Sequence, residues 1–434
     1  MVITIGVMRL FGTSGIRRVV DSSLLQLAFE VGLAVGSIYR PVVVGRDTRT
    51  SGNALKHAVM AGLLASGSRC FDAGVLPTPT LAWATRHFAA GVMLTASHNP
   101  PEYNGIKLLN PDGSAFDVPQ QKQIENLVLD SSPAVRWDKI ECSGVYDEAI
   151  EQHTERILKD FPGSLKLKVV VDCGCGAASV ITPYLLRRLG CGVLALNCYP
   201  SGFFPHPIEP IESNLGELMK ATKEFGADLG IAHDGDSDRM MAVDEKGRFI
   251  PGDKLLVVFA RALTAREVVT TLDASMAIEE MGFKVRRTRI GDIYVSNDLK
   301  NGGDFGGEPS GSWVFPGVSL CPDGIYAAAQ VVAIASQQRL SPLVDSIPSY
   351  PLRRGSVSSQ GVDIAGLAPG LMALQPLTVN NTDGIRLGFA DGWLLIRPSG
   401  TEPKIRITVE AKSEVRLRQL YESGVKAIEE CRKG

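Results

Sequence analysis

Three short runs of β-branched residues set the tightest limit on what this chain can become. Pro41-Val-Val-Val-Gly-Arg-Asp47, Lys168-Val-Val-Val-Asp-Cys-Gly174 and Val268-Val-Thr-Thr-Leu-Asp-Ala-Ser275 each end in a small or acidic turn, and a helix-compatible stretch follows each. An uninterrupted apolar run suits a strand covered on both faces, and its alternation with helical pattern predicts βαβ units around mostly parallel sheets. The runs recur at a spacing of roughly 100–130 residues, which predicts three α/β domains of similar design and not a short-period repeat. The end of the chain reads differently. Gly392-Trp-Leu-Leu-Ile-Arg-Pro398 and Lys404-Ile-Arg-Ile-Thr-Val-Glu410 are strand-like segments flanking a turn, and Ser413 to Arg432 has the spacing of an amphipathic helix. A smaller C-terminal α+β domain is expected there.

A chain of 434 residues exceeds a single core, consistent with this division. The expected domains span 1–147, 148–251, 252–352 and 353–434, with linkers near 131–148, 245–252 and 349–355. Charge narrows the function: 47 acidic against 45 basic residues leave −2, which points to neither nucleic acid nor a membrane surface. The apolar stretch Ile325 to Ala335 is about half the length of a membrane span and reads as a buried helix. The opening MVITIGV lacks the basic region and cleavage site of a secretion signal, so a cytoplasmic protein is expected. Eight scattered cysteines show no zinc-site spacing and are expected to be free thiols.

Four loops carry chemistry-bearing residues. In Leu94-Thr-Ala-Ser-His-Asn-Pro-Pro101 the two prolines end regular structure, so Ser97 is expected to be presented by a loop and not packed. A hydrolase reading fails, because no G-x-S-x-G elbow is present and adjacent side chains such as Ser97 and His98 seldom face each other. In Leu229-Gly-Ile-Ala-His-Asp-Gly-Asp-Ser-Asp-Arg239 the carboxylates Asp234, Asp236 and Asp238 stand at i, i+2 and i+4, able to converge on a hard cation. A calcium loop is disfavoured, since its sixth position is Arg239 where glycine is needed. Arg397-Pro-Ser-Gly-Thr-Glu-Pro-Lys-Ile-Arg406 combines hydroxyls and backbone N–H groups with an arginine at each end, a phosphate cradle. Gly306-Gly-Glu-Pro-Ser-Gly-Ser312 offers a carboxylate and hydroxyls suited to vicinal sugar hydroxyls. Gly174-Cys-Gly-Ala-Ala-Ser179 half-matches a dinucleotide fingerprint but lacks its third glycine and distal acid, and is expected to be a strand-to-helix turn.

Taken in order with Phe11-Gly-Thr-Ser-Gly-Ile-Arg17, these loops resemble the signatures of the α-D-phosphohexomutase superfamily across nearly the whole chain. The resemblance implies four domains around a central cleft. It implies Ser97 as the phosphoserine and, with Asp234, Asp236 and Asp238, as a ligand of Mg²⁺. It implies Glu308 and Ser310 as sugar contacts, Arg397, Ser399, Gly400, Thr401 and Arg406 as the phosphate cradle, and Arg17, His98, Lys107 and Arg239 in the reacting centre. Lys107 is the preferred carrier of the hydroxyl proton. The reaction implied exchanges hexose 6-phosphate and hexose 1-phosphate through a sugar 1,6-bisphosphate, which serves as intermediate and activator.

Three positions depart from many relatives, which have glycine at Ser237, histidine at Ser312 and glycine at Arg18; Met8 is an alternative start. Gly-Gly-Glu-Pro-Ser-Gly followed by Ser312-Trp-Val-Phe-Pro316 resembles archaeal-type phosphoglucosamine mutases, so glucosamine phosphate is the expected substrate. Phosphomannomutase/phosphoglucomutase activity is the alternative, and a non-catalytic sugar-phosphate-binding protein a third reading. The expected partner is the small-molecule phosphosugar, with no nucleic acid and no membrane; a homodimer is compatible with the resemblance.

Overall fold

A computed structural model describes residues 10–12, 14–130, 134–360, 362, 365–398 and 404–433. The first sheet contains β1 (Ile16–Val19), β2 (Val42–Arg46), β3 (Cys70–Val75), β4 (Ala90–Leu94), β5 (Tyr103–Leu109) and β6 (Ser143–Val145) in the order β1-β5-β4-β2-β3-β6. The second contains β7 (Lys168–Asp172), β8 (Gly192–Leu196), β9 (Leu229–His233) and β10 (Met240–Val243), ordered β10-β9-β7-β8. The third contains β11 (Glu267–Thr271), β12 (Lys284–Thr288), β13 (Phe305–Gly307) and β14 (Trp313–Val314), ordered β12-β11-β13-β14.

One pattern underlies all three sheets. The β-branched run lies centrally (β2, β7, β11), the next strand pairs parallel on one side and the third parallel on the other, and a fourth returns antiparallel beyond the third. Burial explains the central place of the runs: Val42 to Val44, Val169 to Val171, Val268 and Val269 are wholly buried, as strands sandwiched by helices require. The mixed, mostly parallel α/β design expected from the sequence is therefore present in triplicate. The fourth sheet is entirely antiparallel: β15 (Leu352–Ser358), β16 (Thr378–Asn380), β17 (Ile385–Phe389), β18 (Gly392–Pro398) and β19 (Lys404–Ala411), ordered β15-β19-β18-β17-β16 and covered by the helix Glu414–Lys433.

This repetition places the functional loops. The Ser97 loop joins β4 to β5, the aspartate loop β9 to β10 and the Glu308 loop β13 to β14, so each lies between the third and fourth strand of its unit, beyond the carboxyl end of a parallel strand. That is where open α/β sheets bind ligands.

The expected linker segments carry structure of their own. Residues 137–145 form a helical turn and then β6, the edge of the first sheet, while 244–249 is a tight hairpin turn closed by a Val243–Phe249 bridge. The second and third sheets share one apolar core, in which Val169, Leu229 and Met240 join Phe259, Phe305 and Trp313. Polar turn residues signalled a break there, but the buried helix Gly252–Ala262 carries the core through it. Among the described residues no helix is long and apolar enough to cross a membrane.

Candidate active site

The Ser97 loop is held by a residue that its motif does not contain. Arg49, wholly buried, donates to the carbonyls of Ser97 (2.8 Å), Asn99 (2.6 Å), Pro100 (2.6 Å) and Tyr103 (2.9 Å), and its Nε meets Asp47 Oδ2 at 3.1 Å. Asp47 accepts from Thr95 Oγ1 (2.7 Å), which in turn accepts from the Ser97 N–H (2.8 Å). Burial pushes the Asp47 carboxyl up to about 6 despite the Arg49 charge. Thus held, Ser97 adopts φ +51°, a left-handed conformation that a non-glycine residue keeps only when its surroundings impose it.

Two expectations change here. Ser97 is buried at 1% exposure, because the loop presents it to the aspartate loop and not to solvent. The left-handed turn also brings consecutive side chains together, so that His98 Nδ1 lies 3.3 Å from Ser97 Oγ. Burial, reinforced by the Arg239 and Arg17 charges, pushes His98 down to about 2, so its imidazole is neutral.

Across the interface Ser97 Oγ donates to Asp234 Oδ2 at 2.6 Å. Asp234, Asp236 and Asp238 are buried, and each turns a carboxylate oxygen to within 4.8 Å of the others. Ser237, between Asp236 and Asp238, is also left-handed at φ +61°, a conformation that glycine adopts without steric cost. Lys107 Nζ pairs with Asp236 (2.7 Å) and Asp238 (2.5 Å), while Thr78 donates to Asp236 from its hydroxyl and its N–H. Lys107 is thus buried; the two carboxylates outweigh the effect of burial and hold it as an ammonium ion. One ammonium does not satisfy three carboxylates. Among the described residues Asp236 Oδ1 and Asp238 Oδ1 are buried without a hydrogen-bond partner, and burial together with repulsion from its two neighbours holds Asp234 well above the usual range. The oxygen-only donor set, its unmet charge and its orphaned oxygens fit a hard divalent cation such as Mg²⁺.

The other expected site residues lie on β1, on the aspartate and Glu308 loops and on the fourth sheet. Arg17 Nη1 donates to Asn99 Oδ1 (3.1 Å), and its buried Nε has no partner among the described residues. Arg239 bridges Ser312 through the backbone and reaches Glu209 at 3.4 Å, so Ser312 ties the Glu308 loop to the aspartate loop. Glu308, 7% exposed, accepts from the Gly291 N–H at 2.8 Å; burial first, then repulsion from Asp292, pushes its carboxyl up to about 8. Ser310 is exposed at the tip of its turn. Arg397 and Arg406 are cross-strand partners on β18 and β19, and Arg397 pairs with Asp383 at 2.9 Å. Ser399, Gly400 and Thr401 lie outside the described residues.

A buried relay supports the aspartate loop from behind. His153 contacts Thr80 Oγ1 and Asp323 Oδ2, each at 3.0 Å, tying the helix Thr78–Thr85, whose first residue holds Asp236, to the helix Gly324–Gln337, whose first N–H donates to Ser237 O. The sequence reading missed Arg49, Asp47, Thr78, His153 and Asp292. The only local hint was Asp47-Thr-Arg49 at the carboxyl end of a buried strand.

Family models described as phosphoglucomutase/phosphomannomutase match in four consecutive parts: alpha/beta/alpha domains I, II and III over residues 8–134, 146–247 and 251–350, and the C-terminal domain over 362–426. The chain belongs to the phosphoglucomutase/phosphomannomutase family. It is thereby an enzyme of the sugar-phosphate mutase class. It is 48% identical to a protein of Methanocella arvoryzae named "Probable phosphoglucosamine mutase", covering 98% of this chain and 99% of that one. It is 39% identical to the phosphoglucosamine mutase of Methanococcus aeolicus, covering 98% and 99%. A phosphoglucomutase/phosphomannomutase family protein of Burkholderia thailandensis superposes with a TM-score of 0.87 over 98% of each chain at 28% identity.

Proposed function

We propose that this mutase interconverts glucosamine 6-phosphate and glucosamine 1-phosphate through a phosphoserine at Ser97 and a sugar 1,6-bisphosphate. The observation that carries the mechanism is Ser97 Oγ at 2.6 Å from Asp234, inside a buried group of three carboxylates whose charge is unmet. Relatives named for phosphoglucosamine over nearly the full chain support the sugar. Asp234, Asp236, Asp238 and the phosphoserine oxygen would hold Mg²⁺, which when bound offsets charge on the transferring phosphoryl group.

In each half-reaction the P–O bond to Ser97 Oγ breaks as one to a sugar hydroxyl forms, or the reverse, while the hydroxyl proton leaves and Ser97 Oγ regains one. Lys107 was the expected carrier of that proton. Held charged by Asp236 and Asp238, it supplies instead a positive field beside the phosphoryl oxygens. His98 is neutral beside Ser97 Oγ, and a phosphoryl dianion there would draw its pKa upward, toward values at which it can hold the proton. Arg397 and Arg406 would grip the phosphate not being transferred. A bisphosphate that turns over offers either phosphate to this one grip.

Phosphomannomutase/phosphoglucomutase activity is the second reading, favoured by the description of the matching family models. One assay separates them. The 1-phosphates of glucosamine, glucose and mannose are compared by kcat/KM, and glucosamine 1-phosphate is expected to rank first; a clear preference for glucose or mannose overturns the sugar while leaving the phosphoserine standing.

A further inference from the structure

We propose that Asp292 selects the amino sugar, its carboxylate pairing with the 2-ammonium group of glucosamine phosphate; this rests on the substrate reading above. Asp292 opens the helix Asp292–Leu299, one residue after the Gly291 N–H that anchors Glu308, and lines a pocket with Ser14, Gly15 and Lys107. Its single hydrogen bond among the described residues comes from Ser14 Oγ in the first domain, 3.0 Å from Oδ1, and it makes no ion pair among them. The carboxylate is therefore aimed but not neutralised.

Its surroundings are anionic. Asp273 and Asp292 both bear electrostatically on Glu308, and Arg239 opposes them. That arginine also faces Asp234, Asp238 and Glu209, and the Lys107 ammonium, which lines one pocket with Ser14 and Asp292, is paired with Asp236 and Asp238. Glu308 itself is more than nine-tenths buried, with one oxygen bound to Gly291 N and, among the described residues, no donor to the other. A sugar hydroxyl can donate to such an oxygen but brings no charge, so glucose or mannose phosphate would leave the charge of the partly buried Asp292 carboxylate uncompensated. An ammonium group on the sugar offsets that charge. The same surplus disfavours sugars without an amine, which makes Asp292 a device for exclusion as well as attraction.

The test compares Asp292→Asn and Ser14→Ala with the intact enzyme by the ratio of kcat/KM for glucosamine 1-phosphate to that for glucose 1-phosphate. Asp292→Asn is expected to lower the ratio tenfold or more. Ser14→Ala, which only releases the carboxylate from its aim, is expected to lower it less but in the same direction, and it carries the test alone if the asparagine variant does not fold. Calorimetric binding of glucosamine 6-phosphate and glucose 6-phosphate should show the same shift. A ratio within twofold of the parent value, with both activities falling together, assigns Asp292 a structural role and overturns the proposal. Failure of the substrate reading is distinct, because it appears in the unaltered enzyme as a preference for glucose or mannose phosphate.

Discussion

Replacing Arg49 with methionine tests how the Ser97 loop is held. The substitution keeps much of the side-chain volume and removes the guanidinium, together with four bonds to the carbonyls of residues 97, 99, 100 and 103 and the pair with Asp47. Breaking a buried ion pair by deleting one partner costs about 3–5 kcal/mol, and each lost bond to a charged donor about 1.5–3 kcal/mol. These losses are not additive, because the loop can relax and water can reach Pro100 and Asn99 near the surface, so about 4 kcal/mol is expected for the first domain. Hydrogen exchange resolved by peptide separates this from global effects: amides of 95–105 and of β4 should lose protection, while those of β18 and β19 should not. Adding Asp47→Leu removes the stranded carboxylate and should recover part of the loss. A loss under about 1 kcal/mol for the single variant, with exchange at 95–105 unchanged, would refute the assignment of Arg49 as the loop's anchor.

The Glu308 carboxyl gives a signed pH dependence. Its pKa in the fold is raised from 4.5 to about 8, so the native state keeps a proton that the unfolded chain has released, and stability falls as pH rises through that window by up to about 1.4 kcal/mol per unit. Glu308→Gln should therefore be more stable than the parent at pH 8.5 and nearly equal to it at pH 5 in denaturant titrations; a gap of constant size contradicts the assignment. Asp236→Asn should weaken binding of Mg²⁺ or Mn²⁺ in calorimetry by roughly tenfold or more, and chelation of the parent should abolish turnover until Mg²⁺ is restored. Undiminished activity in excess chelator rules the cation role out.

What could be read from the sequence was what is contiguous in it. Each signature segment is a run of seven to eleven residues, so Ser97, Asp234, Asp236, Asp238, Glu308, Arg397 and Arg406 could be picked out without a fold, and the β-branched runs marked the central strand of each α/β unit. The arginines at the ends of the 397–406 segment proved to be cross-strand neighbours because β18 and β19 pair antiparallel. Arg49 was hidden because its partners are backbone carbonyls 48 to 54 positions away, with no side-chain pattern to betray them. Burial of Lys107 was hidden likewise, since its carboxylate partners lie 129 and 131 positions on and in another domain. The convergence of Ser97 and His98 needed a left-handed residue that strand periodicity does not foresee. The shared core of the second and third sheets was masked by a polar hairpin turn that looks like a linker in one dimension.

The central claim is that the phosphoryl group passes through Ser97, and peptide mass spectrometry of the phosphorylated enzyme tests it most directly. Incubated with a sugar 1,6-bisphosphate, the protein should carry one phosphoryl group on the peptide containing Ser97. A hexose 6-phosphate should remove that group at a rate no slower than turnover. Ser97→Ala should take up none and lose nearly all mutase activity with its fold intact. Turnover in the alanine variant at the parent rate, or an active parent enzyme whose label lies on any other residue, would contradict the account.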